Sequence, residues 1–247
     1  KDAHYNFDQQ KIEVKGVPYI YVADAKITPD SGNVEIKPNG FMQKLENAVV
    51  EANQVTNYHR MYESSLEITH SKRYSGKSKY DYPPVMGKNQ YINMVEMKVQ
   101  GDTMSIARGE ITEDEKFYLT DRIFFKGATR LEAPNKYMRF TGEVKIDSEN
   151  PFFADKWFKY DDIVNPDSVF VEITQTQLGK LIVGLDYMKR TRTFYSSFLG
   201  PKKNVDDFEV ARATGGLTFD RNTDEFKIGP KAKLTGKEYR GTTSSLD

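Results

Sequence analysis

The sequence predicts an all-β protein of stacked short strands, and three observations carry that expectation. A small residue followed by alternating apolar and polar residues recurs at Ser64-Ser65-Leu66-Glu67-Ile68, Gly109-Glu110-Ile111, Gly127-Ala128-Thr129-Arg130-Leu131 and Gly142-Glu143-Val144-Lys145-Ile146. Alternation at period two sets one face of each segment against a core and the other in water, and a small residue at a strand's start permits a bulge or a close backbone approach. The aromatic complement, 15 Tyr and 15 Phe against the single Trp157, suits pleated, half-buried surfaces. Polar corners separate the runs, at Pro83-Pro84, Gly101-Asp102, Thr112-Glu113-Asp114-Glu115 and Ala133-Pro134-Asn135-Lys136.

In chain order, residues 1–10 read as a polar lead-in and Lys11–Val14 as a short strand. Tyr19–Val22 is the first clear strand, and Asn33–Ile36 follows the turn Thr28-Pro29-Asp30-Ser31-Gly32, where Pro fixes φ and Gly accepts a positive one. Between Leu45 and Val55 two periods compete. Leu45, Ala48, Val49, Ala52 and Val55 fall at helical spacing, whereas Val49-Val50 and Thr56-Asn57-Tyr58 favour strand, and the strand-like neighbours on both sides decide for strand.

The pattern is steadiest from Arg60 to Ile146, with strands expected at Met61–Ile68, Lys77–Tyr82, Tyr91–Val99, Met104–Ile111, Lys116–Phe125, Ala128–Leu131 and Tyr137–Ile146. The small-residue positions are unevenly spaced, which indicates a degenerate repeat and an irregular stack. A turn-rich break at Asp147-Ser148-Glu149-Asn150-Pro151 separates a stacked unit over 11–150 from residues 151–247, a second β-unit or a continuation of the stack. That part opens on the aromatic knot Phe152, Phe153, Trp157, Phe158 and Tyr160. Short strands follow at 168–174, 180–187, 191–198, 205–211, 216–219 and 225–228, with Asp220–Asp224 as a hairpin turn.

Composition narrows the function. The 36 basic and 36 acidic side chains cancel, so nothing general draws the chain to nucleic acid or an anionic membrane. The absence of cysteine removes disulfides, thiolate metal sites and a cysteine nucleophile. No apolar run approaches the ~18 residues of a transmembrane helix. Lys1–His4 lacks the apolar core of a signal peptide and reads either as a mature terminus or as an edge inside a longer protein, and Gly241–Asp247 ends without a closing strand, which hints at a longer chain.

Candidate sites are sparse. His4, His59 and His70 are the only imidazoles, and Glu63 and Glu67 lie too far along a strand from His59 to share an ion with it, so the histidines are expected on the surface and no metal or cofactor is expected. No Gly-x-Ser-x-Gly elbow is present. The carboxylate clusters at 113–115, 161–162, 206–207 and 224–225 sit in turn-like stretches and read as solvated loops. Asp220–Asp224 lacks the Gly and the distant Glu of a calcium-binding EF-hand loop. Two clusters suit binding. Lys72, Arg73, Tyr74, Lys77 and Lys79 interleave cations with aromatic rings, which fits a polyanion or a phosphorylated sugar, although lysines also protect strand edges. Trp157 with its neighbouring phenylalanines fits a sugar platform or a core plug.

At Phe125-Lys126-Gly127-Ala128-Thr129-Arg130-Leu131 and Phe140-Thr141-Gly142-Glu143-Val144-Lys145-Ile146 the sequence resembles the OstA/LptA-like envelope β-proteins of Gram-negative bacteria, over about residues 60–146. The stretch Gly216–Asp220 to Phe226–Ile228 resembles large envelope proteins that carry such units in series. The resemblance implies a folded-over β-jelly-roll whose groove holds the acyl chains of lipopolysaccharide, with Leu131, Phe140, Val144 and Ile146 facing it. It also implies a periplasmic or outer-membrane setting. The high charged fraction and the irregular spacing depart from a continuous lipid groove.

The expected function is therefore a non-catalytic cell-envelope scaffold, binding lipid or envelope protein partners. Two other readings stay open: a glycan-binding β-sandwich, which calls for an exposed aromatic row on one face, and a carboxylate-dependent glycan-cleaving enzyme, which calls for facing acids with separated pKa values.

Overall fold

The computed structural model describes residues 2–42, 44–149, 153–173, 182–198 and 202–235. Among the described residues it is almost entirely antiparallel β-structure, in several sheets and without a closed barrel.

The strands in chain order are β1 (Asp2–Asn6), β2 (Lys11–Lys15), β3 (Ile20–Val22), β4 (Ala25–Thr28), β5 (Val34–Ile36), β6 (Leu45–Ala52), β7 (His59–His70), β8 (Arg73–Val85), β9 (Lys88–Gln100) and β10 (Met104–Ile111). They continue as β11 (Phe117–Thr120), β12 (Ile123–Glu132), β13 (Met138–Ile146), β14 (Trp157–Val164), β15 (Phe170–Glu172), β16 (Ile182–Met188), β17 (Thr193–Phe198), β18 (Phe208–Thr214), β19 (Gly216–Asp220) and β20 (Glu225–Gly229). Helical structure among the described residues is limited to 3-10 turns at Pro38–Gly40 and Glu113–Glu115 and a short helix, α1, over Lys231–Leu234.

One long sheet runs β14-β13-β12-β10-β9-β8-β7-β6-β4-β3, with β11 pairing β12; three-stranded sheets are formed by β1-β2-β5, β15-β19-β20 and β17-β16-β18. The chain divides into two compact units, the first holding residues 1–117, 126–141 and 161–163, the second 118–125, 142–160 and 164–247.

Alternation decides which face is buried. In β7, His59, Met61, Ser64, Leu66 and Ile68 point inward, and the step from Met61 to Ser64 keeps phase because Glu63 adopts φ 47° at a register shift against β8. Each extra residue of this kind lets a long strand bend and twist without exposing its apolar set. Asn47, at φ 54°, does the same for β6, where Asn is the side chain best suited to a left-handed backbone. Met86 and Gly87, both with positive φ, close the β8–β9 hairpin as a two-residue turn whose twist matches its strands. The first unit's core gathers Ile27, Met61, Leu66, Met94, Met97 and Leu131 with the aromatic trio Tyr82, Phe117 and Phe140, whose centroids are 4.9–6.4 Å apart. In the second unit Phe125 packs edge-on to Tyr160 and Phe153 to Phe158.

Several expectations are corrected. Ser64, Gly127 and Gly142 lie inside β7, β12 and β13, and Gly109 lies near the end of β10, so none marks a strand's start. At Gly109 small size serves an interior irregularity: a Cβ there would meet Ile92 Cγ2 at 2.6 Å and Thr129 Cγ2 at 2.8 Å, where β9 and β10 shift register. Pro83-Pro84 is part of β8, at a shift between Tyr82 and Val85 that does without their amides. Lys116–Phe125 is broken by the turn Asp121-Arg122, with Arg122 at φ 61°. Residues 2–6 of the expected lead-in pair with β2, and β14 begins within the aromatic knot, at Trp157. Leu45–Ala52 is strand, as expected. Phe152, Asn150, Pro151, Thr174, Lys180 and the tail 241–247 lie outside the described residues.

Candidate functional site

The outer face of the long sheet carries an organised row of exposed side chains in the first unit. Register places Tyr21 opposite Lys26, Lys26 opposite Glu51, Glu51 opposite Arg60, Tyr62 opposite Lys79 and Asp81 opposite Tyr91. These residues alternate with core positions along every strand, so they share the face turned to solvent. Lys26 Nζ bonds Glu51 at 2.9 Å and sits 5.4 Å from the centre of the Tyr19 ring, which in turn lies 5.0 Å from Tyr21. Arg60 lies over Tyr62 at 5.3 Å; Lys79 bonds Glu63 at 2.6 Å and lies 5.2 Å over Tyr91. Tyr19, Tyr21 and Tyr91 are 44%, 52% and 57% exposed. The row crosses β3, β4, β6, β7, β8 and β9, about 24 Å at the usual strand spacing.

Electrostatics hold the row together. The Glu51 carboxylate beside Lys26 and the Glu63 carboxylate beside Lys79 raise both ammonium groups above the ordinary lysine value of 10.5. Partial desolvation and the neighbouring Tyr19 raise the Tyr21 hydroxyl. Lys26 and Lys79 are thus charged, and Tyr21 neutral, near physiological pH.

Further along the same face a concavity of ≈ 270 Å³ opens over β9, β10, β12 and β13. Ile106 and Ala128 contribute apolar floor, Thr141 a hydroxyl, and Glu96, Lys98, Arg108 and Arg130 the charged rim. A second concavity of ≈ 440 Å³ is lined by Glu13, Lys15, Asp30, Glu35, Lys44 and Glu46 among others. Lys11 bridges two of these carboxylates, Glu13 at 3.0 Å and Glu35 at 2.8 Å, and its contact with Glu13 lowers that carboxyl. Glu46, Glu96, Asp161 and Asp220 are likewise lowered by Lys44, Lys98, Arg139 and Lys227. A carboxylate held down by a cation is an ion-pair partner and a poor proton donor near neutral pH.

The residues singled out from sequence fall in different places. Leu131, Phe140, Val144 and Ile146 are all at most 1% exposed, packed in the cores of their units. Lys72, Arg73 and Lys77 are exposed, Arg73 pairing with Asp102 at 3.1 Å, and Lys79 belongs to the tyrosine row. Tyr74 is buried on the opposite side of β8: its hydroxyl donates to Ser105 Oγ at 2.7 Å, Ser105 Oγ donates to Asp24 at 2.5 Å, and burial pushes the phenol well above its usual range. Trp157 is half-buried with Lys145 Nζ 5.9 Å from its ring, in the second unit. His4 and His70 are exposed, but His59 corrects the surface expectation: it is 1% exposed, because its parity in β7 faces the core. Among the described residues no group of three or more histidines and carboxylates is placed to hold a metal ion.

Sequence reasoning missed Tyr19, Tyr21, Tyr62, Tyr91, Arg108 and Arg130. The signal available was the repeated charge pair two residues apart, Glu96-Met97-Lys98, Arg108-Gly109-Glu110 and Arg130-Leu131-Glu132, which marks solvent-facing positions of adjacent strands. Which strands are adjacent is set by register, which the sequence does not display. No protein-family model matches the chain, and no curated protein or solved structure is detectably similar to it.

Proposed function

We propose that this chain is a non-catalytic β-scaffold of the cell envelope whose long sheet binds carbohydrate on its outer face. The observation that carries the reading is the row from Tyr21 to Tyr91: exposed rings set among cations and carboxylates across six consecutive positions in one sheet. Flat rings stack on the C–H faces of sugars, and ion-paired side chains offer fixed donors and acceptors to hydroxyl groups. The row's length suits an extended polymer. Leu131 and Phe140 are packed in the core of the first unit, which favours a glycan on the exposed face over an acyl chain beside these two residues.

The test is retention of the purified protein on a panel of immobilised polysaccharides, alongside the double variant Tyr21→Ala/Tyr91→Ala. Wild-type retention, weakened about tenfold or more in the variant, is expected from losing two stacking contacts. No retention on any polysaccharide, with acyl-containing lipid co-purifying instead, would overturn the reading.

A further inference from the structure

Arg108 and Arg130 are direct cross-strand partners in the β10–β12 ladder. Like charges at such positions repel, and side chains directly opposite stand only about 5 Å apart at Cβ. Each guanidinium group has its own carboxylate: Arg108 Nη2 donates to Glu110 at 2.6 Å, while Arg130 Nε donates to Glu132 at 2.9 Å. Because β10 and β12 are antiparallel, these glutamates lie in opposite directions along the ladder, Glu110 opposite Ala128 and Glu132 opposite Ile106. Of the charged groups that line the concavity three are cationic, Lys98, Arg108 and Arg130, and one is anionic, Glu96. Lys98 lies beside the Ile106 floor by register, and Thr141 adds a hydroxyl from β13.

We propose that this concavity is an acid-recognition subsite, taking the carboxylate of a uronate-class sugar between Arg108 and Arg130, so that the scaffold's ligand is an acidic polysaccharide. This rests on the carbohydrate reading above. The anion cancels the repulsion built into the Arg108–Arg130 pair, and guanidinium groups match a carboxylate through paired donors. Ile106 and Ala128 accept the apolar face of the sugar ring, and Glu96 and Thr141 take its hydroxyls. The bonds to Glu110 and Glu132 use one nitrogen of Arg108 and one of Arg130, and Gln100 takes a second of Arg130 at 3.3 Å, which leaves further N–H donors on both groups.

The test compares polygalacturonate with its fully methyl-esterified form, which keeps the backbone and removes the charge, against the wild type and Arg108→Gln/Arg130→Gln. Both arginine side chains are about half exposed, so the variant keeps its fold, which circular dichroism verifies. The wild type is expected to bind the acid form about tenfold or more tightly than the ester, and the variant to bind both alike. A second variant, Glu110→Gln/Glu132→Gln, releases the guanidiniums and is expected to strengthen acid binding. Lys72→Gln/Lys77→Gln, which alters exposed cations outside the concavity, is expected to keep the preference. Equal binding of acid and ester by the wild type overturns the subsite and leaves the carbohydrate reading standing. A preference that survives in Arg108→Gln/Arg130→Gln, or is lost in Lys72→Gln/Lys77→Gln, also overturns the subsite. Binding of neither polymer nor any other polysaccharide overturns the carbohydrate reading itself.

Discussion

His59 Nε2 donates to the backbone carbonyl of Asn135 at 2.6 Å, joining the start of β7 to the turn before β13. A carbonyl only accepts, so the proton sits on Nε2, and Nδ1 accepts from the Tyr80 hydroxyl at 3.2 Å. Burial lowers the imidazole below its ordinary 6.5, and the Asn135 bond opposes that shift in part. The unfolded chain therefore takes up a proton near pH 6.5 that the folded chain refuses. Stability from this group is complete above 6.5 and is lost as pH falls towards the lowered folded value. Urea midpoints between pH 8 and 5 should fall in the wild type by more than in His59→Gln; parallel pH profiles would refute the assignment.

Gly76 is required by close approach. A Cβ there would meet the Ser65 carbonyl oxygen at 2.1 Å, and backbone of a central strand yields little. Gly76→Ala should cost about 1–3 kcal/mol of unfolding free energy, while Ser75→Ala on the exposed face stays within about 0.5 kcal/mol. Chemical denaturation of the pair checks the contrast.

The buried chain Tyr74 to Ser105 to Asp24 ties β8 and β10 to the β3–β4 turn. Asp24 also accepts from the Ser105 amide at 2.9 and 3.0 Å. Tyr74→Phe removes one net hydrogen bond, about 0.5–1.5 kcal/mol, whereas Asp24→Ala strands a backbone donor as well and should cost more, about 1–3 kcal/mol. Equal losses in thermal unfolding would show that the amide finds another partner.

Phe140 separates a packed core from an open groove. As a core ring against Tyr82 and Phe117, Phe140→Ala should cost about 3–5 kcal/mol. A groove-lining ring would instead lose bound lipid with little change in stability, and native mass spectrometry beside a urea titration distinguishes the two.

Much of the fold was legible because alternation is local. Met61–Ile68, Met104–Ile111 and Glu225–Ile228 lie within strands that the pattern anticipated, and Leu45–Ala52 resolved to strand despite its helical spacing. What was not legible was non-local. Glycine marks both turns and mid-strand close approaches, so Gly109 could be read as a beginning when it is an accommodation to Ile92 and Thr129. His59 looked polar and exposed until strand parity placed it inward. The site lay furthest from view: Tyr21 and Tyr91 are far apart in sequence, and only the chain of registers through β4, β6, β7 and β8 brings them onto one row.

From β6 to β10 the long sheet adds its strands in the order in which the chain supplies them. Each pairing closes a short loop, so assembly proceeds by zipping, with little entropy spent on bringing remote segments together. The same order governs mechanical failure. Tension applied along the chain peels one hairpin at a time across its ladder, with the rungs broken in succession.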